Sequence, residues 1–114
     1  PPVDWSKLKN VPAGIADSKP FGDWTSVNMD EVYQAASDGF VVGFSCYNGD
    51  YVLEGLTDAS NPPVTVRVKQ AVNSGAGTGD SCSSINMPVK KGNYYEVTAD
   101  LTSSSSFYFL PLGW

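Results

Sequence analysis

Apolar and polar positions alternate strictly along Val64-Thr65-Val66-Arg67-Val68-Lys69. Side chains of a strand point to opposite faces in turn, so this stretch predicts a strand with buried valines and wet Thr65, Arg67 and Lys69. Pro62-Pro63 blocks strand pairing just before it. Tyr94 to Leu101 predicts another strand, with Tyr95, Val97 and Ala99 on one face. Phe40 to Tyr47 is apolar, aromatic and β-branched, and reads as a strand too. Asn48-Gly49 follows, the dipeptide best suited to a two-residue hairpin turn, and Asp50 to Thr57 is expected to return as the hairpin's second strand.

The C-terminal part continues the pattern. Asn73 to Ser81 is a loop by composition, rich in Gly, Ser and Asp. Ile85 to Val89 predicts a short strand broken by Pro88, and Lys90-Lys91-Gly92-Asn93 a turn. Ser103 to Ser106 reads as a polar link, and Phe107 to Leu112 as a closing aromatic strand. Five or six short strands favour an all-β chain, an antiparallel β-sandwich or jelly-roll-like head.

One segment predicts a short helix instead. Asn28 is a suitable N-cap, with Glu31 three residues later as in a capping box. Val27 and Val32 would form the hydrophobic staple, and Gly39 suits the C-terminal stop. The competing reading is an extended arm that ends in a turn at Asp38-Gly39.

The first nineteen residues behave differently. Trp5, Leu8, Val11 and Ile15 recur every three or four positions, but Pro12-Ala13-Gly14 interrupts any single helix. These anchors are too few to build a core and need an external surface. The expected organisation is a connector over 1–19 and a β-rich head over 20–114. The chain starts Pro1-Pro2 without methionine, so it is expected to belong to a longer polypeptide.

Charge narrows the function. The net charge of the 114 residues is −5, with only seven basic residues, scattered along the chain. That argues against tracking a nucleic-acid backbone, which needs a concentrated basic surface. No apolar run is long enough to span a membrane. Histidine is absent, so Ser-His and Cys-His nucleophile pairs are excluded, and an enzyme is not expected. Asp38, Asp50, Glu54, Asp58, Asp80 and Asp100 are the candidate carboxylates for glycoside hydrolysis. Most adjoin Gly, Asn or Ser, where Asp is an ordinary turn former, and that reading outweighs catalysis. Gly75, Gly77 and Gly79 lack the Lys-Ser/Thr ending of a phosphate loop. Asp58 with Asn61, or Asp80, are calcium candidates without EF-hand spacing, so no metal and no cofactor is expected. Cys46 and Cys82 either form a disulfide or remain two partly buried thiols; both readings stay open.

Two sets of residues resemble a known family. Val3-Asp4-Trp5-Ser6, Leu8, Asn10-Val11-Pro12-Ala13-Gly14 and Ala16-Asp17 match the form (V/I)DWS-x-L-x-NVPAG-x-AD of the connector before the terminal head of bacteriophage tail fibres. Asp38-Gly39-Phe40-Val41, then Gly55-Leu56-Thr57-Asp58, then Pro88-Val89-Lys90-Lys91-Gly92-Asn93-Tyr94-Tyr95-Glu96-Val97, then the closing Phe107 to Gly113 resemble the heads of phage and prophage fibres. That family pattern has Asp at the position of Asn93 and Trp at that of Tyr95. Both changes keep the turn and the aromatic core position.

The resemblance implies a homotrimeric fibre-tip domain, joined to an upstream shaft, in a virion and acting outside cells. Three Trp, six Tyr and five Phe are more aromatic surface than one small core readily hides, which agrees with assembly. Trp5, Leu8, Val11 and Ile15 are then the expected trimer contacts of the connector. The expected partner is a bacterial surface glycan or outer-surface protein. Loops carry contacts on a rigid scaffold, so Tyr47, Asn48, Asp50, Asp58, Asn61, Asn73 and Asp80 are the candidate receptor contacts, with Trp114 a further aromatic candidate. The alternatives are a purely structural trimerisation cap and a surface or secreted lectin-like sandwich.

Overall fold

The computed structural model describes residues 20–73 and 79–113. The connector anchors Trp5, Leu8, Val11 and Ile15 lie outside the described residues, as do Gly75, Gly77 and Trp114. The described residues form eight strands and no helix: β1 (Thr25–Val27), β2 (Tyr33–Gln34), β3 (Gly39–Tyr47), β4 (Tyr51–Asp58), β5 (Val66–Val72), β6 (Ser81–Val89), β7 (Tyr94–Ala99) and β8 (Ser104–Pro111). They make two four-stranded antiparallel sheets, β1-β8-β3-β6 and β2-β7-β4-β5.

The pairing order defines the architecture. β1 pairs β8, β2 pairs β7, β3 pairs β6 and β4 pairs β5. The chain is thus one long antiparallel ribbon folded about the β4–β5 turn, then rolled so that β3 meets β8 and β4 meets β7. This is the winding of a jelly roll. Only β4 and β5 are both consecutive and hydrogen-bonded; every other link passes from one sheet to the other.

The core lies between the sheets. Val41, Leu53, Met87 and Val97 are fully buried, with Val27, Ile85, Phe107 and Phe109 around them. An aromatic stack crosses the sandwich: Tyr33 lies on Tyr95 at 5.5 Å, and Tyr95 on Phe109 at 5.2 Å. Tyr95 therefore does fill an aromatic core position. Tyr51 latches the sheets together, its hydroxyl donating to the Ser45 carbonyl at 2.8 Å and meeting Ser83 Oγ at 2.9 Å. A glycine is required at position 43, where φ is 157° and a Cβ would stand 2.1 Å from the Ser106 carbonyl oxygen.

Four expectations need correction. The helix over 28–39 does not form. Asn28 does donate from Nδ2 to Glu31 at 3.0 Å, but within a turn where Asp30 has φ 60° and its N–H donates to the Val97 carbonyl. Val27 pairs with Phe107, and Tyr33 with Tyr95, so tertiary partners outbid the local cap. Asn48-Gly49 is not a hairpin turn either. β3 is already flanked by β8 and β6, so β4 has no edge to join and crosses to the other sheet.

The valine alternation also fails. A β-bulge at Gly55/Leu56 sets Leu56 opposite Val66 and Gly55 opposite Val68, with Arg67 as the extra residue. Parity changes there: Val68 is half-buried, whereas Val66 is exposed and Val64, before the strand, is 73% exposed. Finally, Pro88 does not break its strand. β6 runs through it for nine residues, because β6 is an edge strand and tolerates a missing N–H.

Candidate functional site

Strand direction sorts the loops onto two ends of the sandwich. β3, β5 and β7 finish at one end, where β4, β6 and β8 start and where residues 48–50, 73, 79–80 and 100–103 lie. Pro20, Asp38, the β4–β5 turn over 59–65, the 90–93 turn and Gly113 lie at the opposite end. The Gly113 N–H donates to the Pro20 carbonyl at 3.1 Å, and Leu112 N–H to the Asp38 carbonyl at 2.7 Å. Residue 20, where the first nineteen residues join, is therefore far from the 48–50 loop.

The nominated receptor contacts divide accordingly. Tyr47, Asn48, Asp50, Asn73 and Asp80 share the end away from Pro20, while Asp58 and Asn61 sit at the Pro20 end. At the first end, Tyr47 is half-buried and meets Tyr51 edge to face at 6.2 Å. Gly49 is buried beneath it; a Cβ there would approach the Tyr47 ring to 2.9 Å, and φ is 144°. The close approach presses the 48–50 link against Tyr47 and leaves Asn48 and Asp50 exposed on either side. Asn73 and Asp80 are also exposed.

The loop over 100–103 joins this end, and sequence reasoning did not select it for recognition. Its backbone is firmly tied. Asp100 Oδ1 accepts from the Val52 N–H at 2.7 Å and the Leu101 N–H at 3.0 Å. The Ser103 N–H and hydroxyl both donate to the Cys46 carbonyl, at 2.8 and 3.0 Å. Cys46 is bonded to Cys82, directly opposite it on β6, which decides the open question of the thiols in favour of a disulfide. These links make a stiff base under exposed Asn, Asp and Ser groups.

Asp58 has a different task. Its Oδ1 accepts from Ser60 N–H at 2.7 Å, and Oδ2 from Val64 and Thr65 N–H, both at 2.9 Å. The carboxylate holds the β4–β5 turn, which contains the cis Asn61-Pro62 bond. The Val64 N–H, helped by those of Ser60 and Thr65, brings its pKa down from 3.8 to about 2 against a partial loss of hydration. Burial, with Tyr33 adding to it, pushes the Tyr95 phenol up to about 12.

The other candidate carboxylates are spread out. Asp38 Oδ1 accepts from the Lys91 N–H at 2.8 Å at the Pro20 end. Glu54 pairs with Lys69 at 3.8 Å on the outside of the second sheet. Among the described residues, no three His, Cys, Asp or Glu gather as metal ligands do.

Two of the concavities among the described residues bear on the site. A cleft of about 520 Å³ opens near the Pro20 end, lined among others by Asp38, Phe40, Thr57, Arg67 and Lys90. A shallow depression of about 510 Å³ lies on the outside of the first sheet, over Gly43 and walled by Trp24, Phe44 and Tyr108. Sequence reasoning missed this aromatic face. The signal was present: Phe40, Val42 and Phe44 alternate with Val41, Gly43 and Ser45, so β3 is apolar at its outward positions as well. Comparison of the chain with families of known proteins, with characterised proteins and with solved structures finds no match.

Proposed function

We propose that this chain is the tip domain of a phage or prophage tail fibre. In this reading it trimerises, caps the fibre and binds a receptor on the bacterial surface, a glycan. It acts outside cells, on the virion. The observation that carries the reading is the gathering of exposed Asn48, Asp50, Asn73 and Asp80 at the end away from Pro20. A shaft joined through residues 1–19 would then hold these groups toward the cell. The rigid base under them limits the ordering cost of binding. The disulfide suits a protein that works in an oxidising exterior. Three equivalent weak sites per tip, multiplied by several fibres, would raise avidity without tight single contacts.

The experiment is binding of the labelled chain to host cells and to their purified surface polysaccharide. The triple variant Asp50→Ala, Asn73→Ala, Asp80→Ala is expected to lose binding while its circular dichroism spectrum is unchanged. Full retention of binding by that variant would remove the loop end as the receptor site.

A further inference from the structure

The sheet β1-β8-β3-β6 contains no Asp, Glu, Lys or Arg in any of its strands. The other sheet carries Glu54, Asp58, Arg67, Lys69 and Glu96. On the outside of the uncharged sheet, Phe40, Val42 and Phe44 of β3 stand beside Tyr108 and Leu110 of β8, in the register Phe40–Leu110 and Val42–Tyr108. Trp24, just before β1, leans on Tyr108 edge to face at 6.0 Å. Trp24 is 58% exposed, Phe44 45% and Tyr108 40%. A face that is aromatic, aliphatic and free of charge has the composition of an interface core.

We infer that this face is covered by further copies of the same chain. Charge is the first argument. The chain carries −5, and its other surfaces bear carboxylates: Glu54 and Glu96 on the second sheet, Asp50, Asp80 and Asp100 at one end, Asp38 and Asp58 at the other. Those surfaces also carry Arg67, Lys69, Lys90 and Lys91, and copies that met through them would have to desolvate ionised groups of both signs. The uncharged sheet is where they can approach without that cost.

Area is the second argument. The four strands cover roughly 450–500 Å² in flat projection at the spacing and rise of a sheet. Side-chain relief and the flanking Trp24 add to that footprint, to be set against the about 800 Å² per partner of a standard interface. A glycan fits less well. Its many hydroxyls need matched polar partners, whereas this face offers serine hydroxyls and the Asn86 amide at the side of large apolar groups.

The inference rests on the assembly reading above for the number of copies, with three chains turning this sheet toward a common axis. Its test is the solution mass of the 114-residue chain by light scattering, for the wild type and for Phe44→Glu, Trp24→Glu and Val66→Glu. Val66 is the control, since it is exposed on the outside of the second sheet. The wild type and Val66→Glu are expected at three chains. Phe44→Glu and Trp24→Glu are expected at one chain, a threefold drop, with unchanged circular dichroism. Trp24 precedes the first strand, so Trp24→Glu decides the matter should Phe44→Glu not fold. A wild-type trimer that both variants preserve would overturn this face while leaving the trimer in place. A wild-type mass of one chain would overturn the inference outright, and the cell-binding assay would still judge the receptor reading separately. Variants that keep their mass but lose polysaccharide binding would also overturn it, in favour of a glycan platform.

Discussion

Replacing both Cys46 and Cys82 with alanine removes the one covalent crosslink among the described residues. The two residues face each other across β3 and β6, and the bridge closes a loop with a sequence separation of 36. In the loop-closure description, freeing such a loop returns about 13 cal/mol/K to the unfolded chain, or about 4 kcal/mol near room temperature. That is a large share of the about 5–15 kcal/mol that holds a small domain together. The double variant avoids a leftover thiol, and alanine remains compatible with the ladder. Equilibrium urea unfolding is the assay. The variant is expected to unfold at a clearly lower midpoint, with a steeper denaturant dependence because its unfolded chain exposes more surface. Reductant added to the wild type should reproduce the variant's curve. A loss under about 1 kcal/mol would refute the loop-entropy reasoning. Two free thiols on labelling the unfolded, unreduced wild type would refute the bridge itself.

Three further predictions concern buried polar groups and pH. Tyr51→Phe removes the hydroxyl that donates to the buried Ser45 carbonyl and should cost about 1–3 kcal/mol in urea unfolding. Ser45→Ala should act in the opposite direction, because Ser45 Oγ is buried and has no hydrogen-bond partner; a loss of stability there would mean that the hydroxyl is satisfied. Asp58 is more acidic in the folded chain, at about 2 against 3.8, so its contribution is complete above the ordinary value and is lost as pH falls toward 2. Thermal unfolding of Asp58→Asn should accordingly be less stable than wild type at neutral pH and less dependent on pH between those values. Parallel pH profiles for the two proteins would show that the turn amides do not hold the carboxylate.

Much of the fold could be read from local pattern. The runs at 40–47 and 94–101 became β3 and β7 with small shifts in their ends, and 50–57 became β4. Tyr95 and Val97 are buried as their alternation required. Other positions were not legible, for identifiable reasons. Ser104 to Ser106 carry no apolar signal, yet they form the start of β8 because β3 presents a paired edge to them. The capping pair Asn28–Glu31 is real as a hydrogen bond but not as a helix start, since Val27 and Tyr33 each gain a strand partner and an aromatic or aliphatic core. In the candidate site, the nominated residues were chosen as loop residues. Nothing local could tell that Asp58 and Asn61 would lie opposite the rest, or that 100–103 would join them.

The amino-acid sequence by itself determined the extended runs at 40–47, 50–57 and 94–101, and, with no histidine among the 114 residues, that no Ser-His or Cys-His pair can form within the chain. The runs are properties of neighbours two or three positions apart. The tertiary structure decided the partner of each strand, the change of parity at the Gly55/Leu56 bulge, the pairing of Cys46 with Cys82, and the end of the sandwich to which each loop belongs. Those depend on contacts between residues far apart in the chain. A strand's period of two says which side chains share a face, but not which sheet that face will meet.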